Sequence, residues 1–258
     1  MSGQVLVARD GDIATVTLSN PERLNALDLA MWEQLGAAAR ELDADESLRC
    51  IVVRGAGEKA FAAGADIAAF ASERANSRQA KQYAERIAAA QSLSACRHPV
   101  VALIQGACVG GGLLVACQCD LRICNESARF GVPVKNLGLV EAYDELAGMM
   151  QVASRAVALE ILLEGRIWNA REACQKGLVN RVVPDEKVVE EAYATARRIA
   201  EGAPLAARWH KKFIRRLAEP RPLTPEERDE SYACFDTADF REGVAAFLAK
   251  RKPRFQGK

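Results

Sequence analysis

The sequence predicts an α/β fold: a largely parallel strand-and-helix core carrying a helical C-terminal part. Three observations carry this expectation. Cys50–Arg54, Val100–Ile104 and Leu121–Cys124 are short apolar runs of the kind found in strands buried on both faces. Stretches long enough for a helix separate them, and parallel strands need such crossovers. From about Ala142 the pattern changes and helices dominate. The core is therefore placed at residues 1–200 and the C-terminal helical region at residues 201–258.

The chain opens on a hairpin. Gln4–Arg9 and Ile13–Ser19 alternate in polarity, and Asp10-Gly11-Asp12 supplies the turn. Asn20-Pro21 breaks the second strand. Asp28 has the short acceptor side chain that caps a helix, here one running through Met31, Leu35 and Leu42. Gly55-Ala56-Gly57 ends the Cys50–Arg54 strand, Gln79–Ala95 reads as one helix, and Pro99 opens the Val100–Ile104 strand. Cys117-x-Cys119 is expected in a strand, with both thiols on one face. Helices are then expected over Leu146–Gln151, Ser154–Leu163, Ala170–Lys176, Val188–Ala200, Pro204–Leu217, Pro225–Phe235 and Phe240–Arg251. Leu178–Val183 is the one strand expected among them.

Composition narrows the function. Hydrophobic residues make up 50% of the 258, enough for a large core, and the net charge is +1. No basic block suits nucleic acid, and no apolar run is long enough to span a bilayer. Met1 to Ala8 has no secretory pattern, so a reducing cytoplasmic setting is expected for the eight cysteines. Cys117, Cys119 and Cys124 fit no common zinc spacing, so no metal is expected and these read as small core residues. His98 and His210 complete no Ser/His/Asp arrangement.

Two segments place small residues directly after an expected buried strand. One is Ala60-Phe61-Ala62-Ala63-Gly64-Ala65-Asp66-Ile67 and the other Cys108-Val109-Gly110-Gly111-Gly112-Leu113-Leu114. Small residues in such turns let main-chain N–H groups face a ligand. Taken alone, the glycine run equally suits a tight strand-to-helix turn. Its spacing is not that of a dinucleotide fingerprint.

These segments, taken in order with others, resemble the crotonase superfamily, also called the enoyl-CoA hydratase/isomerase family. Asn20-Pro21-Glu22-Arg23-Leu24-Asn25-Ala26-Leu27 is similar to its first CoA-contacting loop and Lys59–Ile67 to its second. Pro99–Ile104, Gly106, Gly110–Gly112, Cys119-Asp120, Phe130-Gly131, Pro133 and Asn136–Leu139 continue in register. Gly177-Leu178-Val179, Glu242-Gly243 and Lys250-Arg251-Lys252-Pro253 complete a match over essentially the whole chain. The resemblance implies a spiral of ββα turns and C-terminal helices that form a homotrimer, or a dimer of trimers. It also implies an acyl-CoA thioester substrate, CoA being part of that substrate and not a separate cofactor. The N–H groups of Ala65 and Gly111 would form an oxyanion hole. Arg23, Leu24, Ala26, Ala63, Asp66 and Ile67 would contact CoA or line its channel, and Lys250 would meet a CoA phosphate, across a subunit boundary if need be.

Family hydratases carry glutamates where this chain has Leu114 and Val134, so ordinary hydration is not expected and an isomerase, lyase or other non-standard reaction is. Ring-closing relatives carry an acid at the position of Glu141, which makes Glu141 the leading acid/base candidate and nearby Asp144 the second. Glu145 follows them, and because acids in a first helical turn also complement the helix dipole, a purely capping role stays open for all three, more so for Asp144 and Glu145. Tyr143, Met149, Met150 and Tyr232 are candidates for shaping the acyl pocket. An inactive partner subunit or a non-catalytic CoA-ester binder is the alternative.

Overall fold

A computed structural model describes residues 2–67, 70–88 and 92–258. Strands β1 (Gln4–Asp10) and β2 (Ile13–Ser19) form the expected hairpin, with Asp10 opposite Ile13 and Gly11 at φ 60° in the turn. β2 then pairs in parallel with β3 (Cys50–Gly55), β3 with β5 (Val100–Ile104), β5 with β7 (Leu121–Asn125) and β7 with β10 (Arg181–Val183). In this sheet of six strands, successive residues divide between opposite faces. Ile51, Val53, Val100, Ala102 and Ile104 join the main core. Cys50, Val52, Val101, Leu103 and Ile123 face a second core closed by Val188, Ala192, Ala196 and Ala200 of helix α9 (Val188–Ala200). Burial on both faces explains why these strands read as unbroken apolar runs.

The second sheet was not expected. Three strands of three residues each, β4 (Ala60–Ala62), β6 (Ala107–Val109) and β8 (Arg129–Gly131), pair in parallel. The two-residue β9 (Trp168–Asn169) lies antiparallel to β8. Such strands are too short to show a period. α1 (Leu29–Ala44), capped by Asp28 Oδ1 accepting the Met31 N–H at 2.9 Å, packs on β1 and β2, and α5 (Gly111–Cys117) packs on β4 and β6. Cys117 therefore ends a helix and Cys119 follows in the turn. The expected strand at this point gives way because the three-glycine turn starts a helix.

Of the helix expected over Gln79–Ala95, α3 (Ser77–Ile87) and α4 (Ser92–Ala95) are described and residues 89–91 lie outside the described set; α2 (Phe70–Glu73) precedes them. The later helices are α6 (Tyr143–Val152), α7 (Arg155–Glu164), α8 (Ala170–Gln175), α10 (Pro204–Leu217), α11 (Pro225–Glu230) and α12 (Ala238–Leu248). The helix expected to Phe235 stops at Glu230 and gives way to a short 3-10 turn, Ala233–Asp236. The terminal helices hold to the core through polar contacts. Lys211 Nζ bonds the His98 carbonyl at 2.9 Å and Asp120 at 2.7 Å, and Arg208 Nη2 donates to the Glu46 carbonyl at 2.8 Å. Among the described residues no helix is long and apolar enough to cross a membrane, and no cluster of metal-ligating side chains occurs.

Candidate active site

The site forms where the strands of the second sheet end. Pairing of β4 with β6 brings the turn at Ala63–Ala65 beside the turn at Gly110–Gly111. The approach is close, and at Gly112 it excludes a side chain. A Cβ on Gly112 would lie 2.1 Å from the Ala62 carbonyl oxygen, and one on Gly111 would lie 3.6 Å from Ala65 N. Gly110, at φ 52° and ψ −125°, adopts a backbone that suits only glycine. Neither the Ala65 N–H nor the Gly111 N–H has a hydrogen-bond partner among the described residues, and both residues line one cavity of about 480 Å³.

A second loop holds this turn in place. Leu24 and Asn25 take left-handed conformations, at φ 51° and 57°. The Leu24 carbonyl accepts the Ala63 N–H at 3.0 Å, Gly64 accepts from Leu27 at 2.8 Å, and Leu27 accepts from Asp66 at 3.0 Å. Asn25 is buried and joins three segments. Its Nδ2 donates to the carbonyls of Ala56 and Ala60 at 3.0 and 2.8 Å, and its Oδ1 accepts the Asn20 N–H at 3.0 Å. Arg23 closes the loop by an ion pair with Asp66.

Across the cavity stands the segment before α6. Glu141 and Glu145 both line the cavity, with Leu114 and Val134 as part of its apolar wall. Glu145 Oε2 accepts the Ala142 N–H at 2.7 Å, the reciprocal half of a capping box. That bond fixes a carboxylate beside Glu141. Burial pushes the Glu141 carboxyl up to about 8, the negative charge of Glu145 adds to the rise, and Arg74 opposes it.

Of the residues singled out from sequence, Ala63, Ala65, Ile67, Gly111 and Glu141 share this cavity. Arg23, Leu24, Ala26 and Asp66 form the supporting loop behind it. Asp144 is exposed and does not line it. Lys250 follows α12, at φ 51°, and lies off this cavity within the single chain. Tyr143, Met149, Met150 and Tyr232 do not line it either: Tyr143 is almost fully exposed, Met149 is core, and Met150 and Tyr232 face outward. The capping role weighed for Glu145 is observed, its pairing with Glu141 was not anticipated, and sequence reasoning missed Trp32 and Arg74, which line the cavity from α1 and the α2–α3 segment. The i, i+4 spacing of the two glutamates was the available signal; Arg74 and Trp32 left none.

The family model described as enoyl-CoA hydratase/isomerase matches residues 8–258. The chain belongs to the enoyl-CoA hydratase/isomerase family. The crystal structure of an enoyl-CoA hydratase/carnithine racemase from Magnetospirillum magneticum superposes with a TM-score of 0.97 at 53% identity, covering 98% of this chain and 96% of that one. A Mycobacterium bovis protein named "Probable enoyl-CoA hydratase" is 37% identical over 255 residues, 97% of each chain. The short-chain-enoyl-CoA hydratase of Clostridium acetobutylicum is 29% identical over 253 residues, 96% of this chain and 95% of its own. Family membership and the crotonase-like fold thus agree with the resemblance read from the motifs. The relatives are named as hydratases, and nothing in the likeness itself marks this family member as departing from that reaction.

Proposed function

We propose that this family member is an acyl-CoA enzyme that stabilises a thioester enolate between the Ala65 and Gly111 N–H groups. In this reading Glu141, and not a hydratase glutamate pair, moves the proton. One observation carries it: two unpartnered main-chain donors and a carboxyl held near 8 line the same cavity. An enolate concentrates negative charge on the thioester oxygen, and fixed donors aimed at that oxygen act without reorganisation, each contributing about 3–4 kcal/mol. A carboxyl titrating near neutrality can both take a proton from carbon and return it.

In an isomerisation, Glu141 as carboxylate removes a proton from the acyl chain and the electron pair moves onto the thioester oxygen as the enolate forms. Protonated Glu141 then delivers the proton to a different carbon as the carbonyl re-forms. In a lyase reaction of the retro-aldol type, Glu141 as carboxylate takes the proton of a β-hydroxyl, the Cα–Cβ bond breaks to leave an aldehyde or ketone and the same enolate, and Glu141 returns that proton to the α carbon. Both balance without a further reactant. Hydration lacks support at Leu114 and Val134, whose side chains neither hold nor deprotonate water. Asp144, set outside the cavity, is the weaker acid/base candidate.

The channel for the CoA moiety is assigned to Ala63 and Ile67, with the Arg23–Asp66 loop at its margin. Lys250 is assigned to a neighbouring subunit's CoA phosphate. A homotrimer, or a dimer of trimers, built by the region at residues 201–258 suits the exposed Phe247, Leu248, Ile214 and Leu217 there. The eight unpaired cysteines, six of them buried, suit a reducing cytoplasmic setting.

The deciding experiment is turnover on a panel of acyl-CoA esters by the wild-type chain and Glu141→Gln. The substitution is expected to lower kcat by roughly 10²-fold or more with little change in CoA-ester affinity. Crotonyl-CoA hydration is expected to run at least about 10⁴-fold below the level that a carboxylate pair supports. Tight binding with no turnover on any ester would instead identify a CoA-ester binder or inactive partner subunit, which the apolar Leu114 and Val134 also suit.

A further inference from the structure

The wall of the cavity formed by α2 and α3 carries a cation that the proton-transfer chemistry does not use. Arg74 lies between these helices, with its guanidinium over the Tyr83 ring at 3.6 Å from the centroid and over the Phe70 ring at 4.5 Å. Its Nε is buried and makes no hydrogen bond. No carboxylate stands at ion-pair distance from it among the described residues, although nearly every other arginine that approaches the core has a carbonyl or carboxylate partner: Arg49, Arg122, Arg208 and Arg216 are examples. Arg74, Phe70 and Tyr83 line the cavity that holds Ala65, Gly111 and Glu141.

A guanidinium covered by aromatic faces keeps its donors at its edge, in its own plane. The group that best satisfies such an edge is a carboxylate, which accepts two parallel N–H bonds. The cavity's own acids do not fill this role. Glu145 is engaged at the Ala142 N–H, and Glu141 is held protonated near neutrality by burial and by Glu145. Lys81 on α3 also lines the cavity and has no ion-pair partner among the described residues, so the wall presents two cations to the cavity, while Glu73 of α2 and Asp28 act on Tyr83 from the same side without pairing with Arg74. A half-buried cation left with an incomplete hydrogen-bond set is costly unless a ligand completes it.

We infer that the acyl group of the substrate carries a carboxylate, received by Arg74 on the α2–α3 wall while the thioester oxygen lies at Ala65 and Gly111. This rests on the reading of the cavity as an acyl-CoA site. It narrows the substrate class to CoA esters of dicarboxylic acids. A carboxylate so placed fixes the far end of the acyl chain, which selects the carbon presented to Glu141.

Glutaryl-CoA and valeryl-CoA have acyl chains of equal carbon count and differ at the far end, carboxylate against methyl. Calorimetry at neutral pH is expected to give glutaryl-CoA an affinity at least about tenfold higher for the wild-type chain. In Arg74→Met, which keeps the unbranched stem against the rings, the ratio is expected to fall to one or to reverse, because the carboxylate is then desolvated without a partner. Arg74→Lys is expected to recover part of the ratio, and Lys81→Met to leave most of it. Equal or tighter binding of valeryl-CoA by the wild-type chain overturns the inference, with no variant needed, and leaves the acyl-CoA reading standing. A preference kept in Arg74→Met, or lost instead in Lys81→Met, also overturns it. Failure of both esters to bind overturns the acyl-CoA reading and this inference with it.

Discussion

At the scale of single residues, Glu141 shows how one main-chain bond sets the chemistry of a side chain that does not make it. Glu145 satisfies the Ala142 N–H at the start of α6, and in doing so holds its charge against the half-buried Glu141. The linkage has a definite sign. Between the ordinary carboxyl range and about pH 8 the folded chain keeps a proton on Glu141 that the unfolded chain has released. Stability therefore falls as pH rises through that window, and the loss is complete above it. Glu141→Gln removes the titration, so it is expected to melt higher than wild type at pH 9 and nearly alike at pH 4, read by thermal denaturation at both. Glu145→Gln is expected to move the acid limb of the pH–rate profile to lower pH, because the charge that raises Glu141 is gone and its carboxylate forms sooner. Little of this was legible beforehand. The acid that ring-closing relatives also carry drew attention to Glu141, but the wall facing it, with Arg74 and the α2–α3 residues, lies more than fifty residues earlier in the chain.

At the scale of elements, the first sheet and the second differ in how well sequence reveals them. β3, β5 and β7 read as apolar runs because both faces are covered, by α9 on one side and the main core on the other. β4, β6 and β8 carry only three residues each, and β9 two, so neither alternation nor an apolar run can emerge. The sequence therefore assigned no bounds to these strands and no pairing between them. Yet it is the β4–β6 pairing that sets the two donor turns side by side. Gly112→Ala tests that contact. Its Cβ would meet the backbone oxygen of Ala62, which cannot rotate away, so a loss of about 1–3 kcal/mol in denaturant unfolding is expected, with weaker binding of a CoA ester. Asn25→Ala leaves the carbonyls of Ala56 and Ala60 without their side-chain donor and is expected to cost about 1–3 kcal/mol in the same measurement.

For the whole molecule, the exposed apolar side chains of the C-terminal region set the expectation. Phe247 and Leu248 are 83% and 75% exposed in the single chain, far more than isolated surface residues of α12 need be. Phe247→Asp is expected to reduce the mass measured by light scattering to that of a smaller species. If Lys250 serves a neighbour's cavity, the same variant is expected to weaken CoA-ester binding together with assembly. Lys250→Ala is expected to weaken binding by on the order of 1 kcal/mol while the mass stays unchanged. A sequence reports an exposed phenylalanine and a buried one with the same letter, so this surface could be anticipated only from the resemblance.

The close approach of the Gly64–Ala65 and Gly110–Gly111 turns has a further consequence for how such a protein changes over generations. The donors there belong to the backbone, and their spacing is inherited from strand pairing. Drift at the surrounding side chains cannot erase them without breaking the fold that every descendant needs. Residues on the facing wall are free of that bond: leucine, valine, glutamate or arginine can be exchanged there one at a time. The fold thus separates what activates a substrate from what decides its fate, and a lineage can try new reactions while never surrendering the step they share.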